Sequence, residues 1–313
     1  MDCALLYAAP NSGKTLLTFW NLIESVKRGV LQGCRVFYVN ADDTFRGMAE
    51  KLEIAERYGI EMLVPGQQDF EVGFVVGLMG ELASSQQAMG VTIVLDTLKK
   101  FTDLMDKRLA SEFGVTARNF TAAGGSLICL AHTNKHKDAN GRSVYAGTSD
   151  VSDDADCVFI LEQVAAQQGL VNVYTVEARN VKNRGDVSSR IGFRYSRKSG
   201  GCYQDLLDSV ERLDSAAVEL AATAKEHAQA LKQDEEIIDA VLRCIRDGYV
   251  TKDVLVKQVR RITTEGTTRI RGVINARTGN DLAAGHRWSS ERGPNNAKIF
   301  HALALDGLKT QIS

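Results

Sequence analysis

The chain carries almost no excess charge: 38 Lys and Arg stand against 39 Asp and Glu, a formal net charge of −1 at pH 7 with a pI near 6.5. A surface basic throughout is thereby excluded, so any contact with a polyanion must come from local patches. The six cysteines, Cys3, Cys34, Cys129, Cys157, Cys202 and Cys244, are scattered with no Cys-x-x-Cys spacing. Several fall in apolar runs, where a thiol packs as a small hydrophobe, and they read as reduced and structural. No apolar stretch approaches membrane-spanning length, and no basic region precedes the first strand-like run. Neither an anchor nor a signal peptide is expected, no membrane partner is implied, and the cytoplasm is the expected compartment. Internal repeats and low-complexity tracts are lacking as well. What 313 residues do provide is enough chain for a substantial core and a smaller second unit.

The most informative stretch is Ala8-Ala9-Pro10-Asn11-Ser12-Gly13-Lys14-Thr15. It follows the apolar run Ala4-Leu5-Leu6-Tyr7 and precedes a helical one, residues 16–23, so it reads as strand, loop, helix. In a phosphate-binding loop of this kind, successive backbone N–H groups and the positive end of the following helix cradle a polyphosphate. Lys14 then reaches the β/γ-phosphates and Thr15 holds Mg²⁺. Ala8 stands where the usual pattern opens with Gly, which loses backbone freedom but keeps a small side chain. The ligand this loop serves is a nucleoside triphosphate.

A second run, Val91-Thr92-Ile93-Val94-Leu95-Asp96-Thr97, is unbroken and apolar, as in a parallel strand buried on both faces, and it ends in one carboxylate. Ligands of open α/β sheets bind at the C-terminal strand edge, which would bring Asp96 beside the loop and into the Mg²⁺ shell. The alternative is a carboxylate that only caps the next helix. Strand-like runs alternate with helical ones through residues 35–39, 44–58, 61–64 and 73–84. Further strands are expected at 126–131, 157–161, 171–176 and 191–195, the last of them antiparallel. The fold class is therefore α/β with a mainly parallel central sheet. An Ala-rich, charged stretch near residues 206–232 has helical spacing. The domains read as 1–200, a helical linker 201–232, and 233–313.

Asp42 and Asp43 end the second strand, where a carboxylate could orient and polarise an attacking water. Asp43 sits where an N-cap would satisfy free N–H groups of the next helix, so Asp42 is the better candidate. His132, in His132-Thr133-Asn134-Lys135, emerges at the same sheet edge, either as a γ-phosphate sensor or as a hydrogen-bonded loop start. Val181-Lys182-Asn183-Arg184-Gly185 lies between two late strands. It is either a solvated cationic turn or a loop able to bring Lys182 and Arg184 to a neighbouring subunit's phosphate, with Arg179 in reserve.

These motifs, in this order and together with Gly147-Thr148-Ser149, make residues 3–197 resemble the RecA-like P-loop ATPases of phages and plasmids. The likeness is to the RepA-type hexameric replicative helicases and, more distantly, the DnaB core. The resemblance implies hydrolysis of ATP with Mg²⁺ at the interfaces of a homo-oligomeric ring, with Asp42 as the catalytic acid and Arg184 as the arginine finger. It also implies that loops at 99–108 and 135–145 face a central channel, where Lys135, Lys137 and Arg142 would track the phosphates of single-stranded DNA. In that family an arm and a strand commonly precede this point; here the first strand is expected from residue 2.

The C-terminal residues read independently. Ile237, Ile238, Val241, Leu242 and Ile245 make one helical face; Leu255, Val259 and Ile262 a second; Ile270, Val273 and Ile274 a third. Arg287-Trp288-Ser289, a Gly293-Pro294-Asn295-Asn296 turn and residues 298–303 read as a hairpin, and the whole resembles a winged helix-turn-helix. Lys257, Arg260, Arg261, Arg269, Arg271 and Arg277 crowd the second and third helices, with Glu265 the sole acid between Lys257 and Arg277. Such a face enters a duplex major groove and holds phosphates, unless it serves protein contacts instead. The function expected is that of a Mg-ATP-dependent, DNA-associated ATPase, a ring-forming replicative helicase. The alternative is an ATP-switched DNA-binding regulator or helicase loader. A strand-exchange recombinase is disfavoured.

Overall fold

In the computed structural model, residues 2–303 are described except for 43–44, 67–69, 104, 138–142, 146–148 and 185–186. The chain divides into two compact units, residues 1–222 and 223–313.

The first unit is built on strands β1 (Cys3–Ala8), β2 (Arg35–Asn40), β3 (Ile60–Leu63), β4 (Val91–Asp96), β5 (Ser126–Lys137), β6 (Ser143–Tyr145), β7 (Cys157–Gln167), β8 (Val171–Asn183), β9 (Arg190–Lys198) and β10 (Glu211–Leu213). They pair in the order β10-β9-β8-β7-β1-β5-β4-β2-β3, with β6 attached to β5. From β3 to β7 every neighbouring pair on this path is parallel, and from β7 to β10 every pair is antiparallel. The unit is thus mixed α/β with a large, mainly parallel sheet. All six residues of β4 are buried, the state for which an uninterrupted apolar run is suited.

Helices α1 (Lys14–Lys27), α2 (Phe45–Arg57), α3 (Val72–Ser84), α4 (Lys107–Ala122), α5 (Ser149–Asp154), α6 (Tyr203–Asp208) and α7 (Ser215–Gln233) complete the order. Successive strand residues face opposite sides of a sheet, and two cores form accordingly. Leu5, Tyr7, Ile93 and Leu95 pack with Met79 of α3 and Phe113 and Phe120 of α4. Ala8, Tyr38, Val94 and Leu161 pack with Leu16, Phe19 and Ile23 of α1 and Ile54 of α2. Because α1 joins β1 to β2 while β5 and β4 lie between those strands, its N-terminus stands over the C-terminal end of β4. Among the described residues, no helix is long and apolar enough to cross a membrane.

Two local readings change. Residues 203–213 do not begin a helical linker: β10 pairs with β9 through Glu211 and Arg194, and Leu207 and Val210 are buried in the core of α1. Helical spacing alone joined α6 to α7 across a short strand. The strand expected to end at Ala131 runs on to Lys137 and pairs antiparallel with β6, Thr133 with Tyr145 and Lys137 with Ser143, so the described ends of the expected channel loop at 135–145 are strand residues.

The second unit holds helices α8 (Glu235–Arg246), α9 (Lys252–Ile262) and α10 (Thr267–Ala276), followed by the hairpin β11 (Trp288–Arg292) and β12 (Lys298–Ala302). Its core joins Ile237, Val241, Leu255, Val259, Ile270 and Ile274 to Trp288 and Phe300. Trp288 is fully buried, and its indole N–H reaches the Ile274 carbonyl and Thr278 Oγ1, both at 3.1 Å, which satisfies its one polar group.

Candidate nucleotide site

Residues 9–13 turn the chain from β1 into α1. Ser12 closes the turn, its hydroxyl donating to the Ala9 carbonyl at 2.6 Å. Gly13 precedes the helix with φ 89°, a left-handed conformation that costs a residue with a Cβ about 1–2 kcal/mol. A Cβ there would also meet the Tyr195 hydroxyl and ring at 3.0–3.2 Å. Ala8 ends β1 in extended backbone, so the residue that replaces the usual glycine meets no conformational penalty. Pro10 and Asn11 are exposed at the turn, which leaves the N–H groups at the start of α1 as its electropositive end.

Thr15 Oγ1 donates to Asp96 Oδ2 at 2.7 Å, Tyr38 Oη donates to the same oxygen at 2.9 Å, and Lys14 Nζ lies 4.0 Å from Asp96 Oδ1. Asp96 and Lys14 are both buried, 1% and 9% exposed. A buried carboxylate needs such partners, because transferring a bare charge out of water costs several kcal/mol. Thr15 and Asp96 are 81 positions apart, and together they present hard oxygen donors of the kind Mg²⁺ takes alongside phosphate and water. The donor set fits that ion.

Asp42 stands at the C-terminal end of β2, with Oδ1 3.9 Å from Lys99 Nζ and Oδ2 3.9 Å from His132 Nε2. His132 pairs in register with Ala8 across β5 and β1. Burial, followed by the fields of Lys14 and Lys99, lowers its pKa against the opposing pull of Asp42, so at pH 7 the imidazole is neutral. Lys14, Thr15, Asp42, Asp96 and His132 therefore share one edge of the sheet. Lys99, in the single helical turn Leu98–Lys100 just after β4, joins them. Its signal was position: a cation three residues beyond the carboxylate strand. Asp43 falls outside the described residues.

Lys182 and Arg184 lie elsewhere. Lys182 is within β8, paired with Val158, rather than on a projecting loop. Val158 is paired with Leu5, three residues before Ala8, so Lys182 sits on the order of 10 Å below the turn at residues 9–13, toward the opposite sheet edge. Its ammonium donates to the Ser152 and Asp153 carbonyls at 2.6 Å each, and Arg184 Nη2 donates to the Asp153 carbonyl at 2.7 Å. Both cations close the C-terminal end of α5, whose last carbonyls have no helical partners. Burial, then Arg184, lowers the Lys182 pKa. Lys135 and Lys137 fall on β5 by backbone, but their side chains, like Arg142, lie outside the described residues.

In the second unit, Lys257, Arg260, Arg261 and Arg271 line a groove of about 590 Å³ between α9 and α10, together with Asp253, Val256 and Thr267. Arg269 is on another side of α10. It donates to the Gln233 carbonyl at 2.9 Å and lies 3.5 Å from Glu265 and 4.0 Å from Asp234. Arg277 is buried on Asp234 at 2.7 Å. These two arginines hold the unit together.

Comparison with protein-family models finds no match, and comparison with curated proteins finds none either. Among solved structures the chain is similar to the crystal structure of the RadB recombinase, at 15% identity over 68% of this chain and 91% of that one, with a TM-score of 0.42.

Proposed function

We propose that the first unit is a RecA-like P-loop ATPase and that the chain is a DNA-associated, Mg-ATP-dependent motor of the phage or plasmid replicative helicase type. One observation carries the nucleotide reading: Thr15 and Lys14, at the start of α1 behind a left-handed Gly13, converge on the buried Asp96 beside Asp42 and His132. In this reading the backbone N–H groups of residues 11–15 and the Lys14 ammonium hold the β/γ-phosphates, and Thr15 and Asp96 hold Mg²⁺. The bound metal would supply charge neutralisation on the phosphate oxygens. Asp42 orients a water in line with the γ-phosphorus and takes its proton as the bond to the β-phosphate oxygen breaks. Neutral His132 hydrogen-bonds at the γ-position. The second unit, read as a winged helix, contributes duplex contacts through Lys257, Arg260, Arg261 and Arg271; Lys135, Lys137 and Arg142 are proposed for single-stranded DNA in the channel of a hexamer.

The engagement of Lys182 and Arg184 with the Ser152 and Asp153 carbonyls supports a second reading. Cations committed within their own protomer suit an ATP-switched DNA-binding regulator or loader better than a finger acting on a neighbour. The deciding measurement is ATP turnover with no DNA, single strands or duplex, alongside native mass. A DNA-stimulated ring, with activity restored on mixing Arg184→Ala and Lys14→Ala proteins, supports the motor. An unstimulated monomer supports the switch. Undiminished turnover in Lys14→Ala defeats both.

A further inference from the structure

Tyr38 is a nearly fully buried phenol in the middle of β2, 1% exposed between Phe37 and Val39, and its hydroxyl donates to the carboxylate of Asp96 at 2.9 Å. In the sheet it pairs with Val94, two residues before Asp96 on the same face, so the phenol reaches along β4 to the carboxylate beyond its own register partner. Phe19 of α1 packs edge-on against its ring, centroids 5.6 Å apart at 78°. The two oxygens of Asp96 are thereby distinguished. Oδ2 accepts from both Thr15 and Tyr38, and Oδ1 faces the Lys14 ammonium.

We infer that Tyr38 is a positioning residue for the divalent cation of the nucleotide site, acting through Asp96. The inference rests on the nucleotide reading above. Thr15 and Tyr38 reach Oδ2 from different elements, α1 and β2. The second donor fixes the plane, so the Thr15 hydroxyl and Asp96 keep one mutual geometry before any cation arrives. Outer partners that orient metal-binding carboxylates generally contribute 10–100-fold in metal affinity or activity. Tyr38→Phe deletes the donor and keeps the ring against Phe19, so the loss should appear in metal binding and spare nucleotide binding in the absence of metal.

The test uses the full chain with ADP and Mn²⁺ in place of Mg²⁺, reading bound Mn²⁺ by electron paramagnetic resonance. Binding of a fluorescent ADP in EDTA is measured in parallel, and Phe19→Leu serves as a packing control that keeps the phenol. Tyr38→Phe should weaken Mn²⁺ binding by about tenfold or more, with EDTA-phase ADP binding unchanged and Phe19→Leu close to wild type in Mn²⁺ affinity. Unchanged Mn²⁺ affinity in Tyr38→Phe overturns the inference. So does an equal loss in Phe19→Leu, or a loss of ADP binding in EDTA that matches the loss of Mn²⁺, since either marks a packing role. A wild-type protein that binds no ADP overturns the nucleotide reading itself and this inference with it, and is distinguished from the other results by failing before any variant is compared.

Discussion

A methyl group at Gly13 meets two obstacles that the structure separates. The backbone there has φ 89°, and a Cβ would stand 3.0 Å from the Tyr195 hydroxyl and 3.1–3.2 Å from its ring. The left-handed conformation costs Ala about 1–2 kcal/mol, and forcing a methyl against a buried aromatic adds roughly 1–3 kcal/mol. Tyr195 is 2% exposed and stacked on Tyr174 with centroids 5.1 Å apart, so it has little room to give way. A total of about 3 kcal/mol lowers the Tm of a domain of this size by roughly 6–12 °C. Gly33→Ala is the internal comparison: φ is 75° there, and nothing lies within 4 Å of the added Cβ. It should incur the conformational cost alone. Tyr195→Phe removes the nearest atom, so combined with Gly13→Ala it should cost less than the two singles added. Thermal unfolding of the four variants measures this, with fluorescent ATP binding as the functional readout, which should fall in Gly13→Ala and stay at wild-type level in Gly33→Ala. If Gly13→Ala is no more destabilising than Gly33→Ala, the packing of Tyr195 beneath the loop is not what the geometry says.

Asp42→Asn should retain ATP binding and lose turnover by about tenfold or more, because the carboxylate's task is proton transfer and water orientation; steady-state turnover beside equilibrium binding checks this, and retained turnover would move the role to another group. In the second unit, Arg269→Gln should lower the unfolding temperature, since it breaks ties to Gln233, Asp234 and Glu265. Arg271→Gln and Lys257→Gln should leave stability unchanged while reducing the salt dependence of duplex binding by about one unit of slope each. Equal effects of Arg269 and Arg271 on both readouts would show the groove assignment to be mistaken. His132 has a folded pKa below its unfolded value, so its contribution to stability is present above the unfolded pKa near 6.5 and is lost as pH falls below it, the unfolded chain binding the proton first. His132→Gln should therefore lose less Tm than wild type between pH 7.5 and pH 5, and an identical pH profile would refute the assignment.

The sequence by itself determined the elements whose causes are local. The six-residue run Val91–Asp96, four of its residues apolar and its last a carboxylate, specifies a buried parallel strand, and Gly13-Lys14-Thr15 between a strand and a helical run specifies a helix start with donors facing outward. Three apolar stripes with period 3.6 account for α8, α9 and α10. Signals of that kind act over one or two turns and survive in any reading of the text. The tertiary structure alone decided which of these residues meet. Thr15 reaches Asp96 across 81 positions and Tyr38 reaches it across 58, because α1 passes over β5 and β4 on its way to β2. Lys99 faces Asp42 because β4 and β2 are neighbours. Cationic residues are ambiguous for the same reason: Lys182, Arg184, Arg269 and Arg277 look alike in the sequence as positive charge, and in the fold each donates to carbonyls or carboxylates. Whether an arginine is a ligand-binding group or an internal tie depends on which backbone oxygens and acids the fold brings within 3 Å of it, and no local pattern encodes that distance.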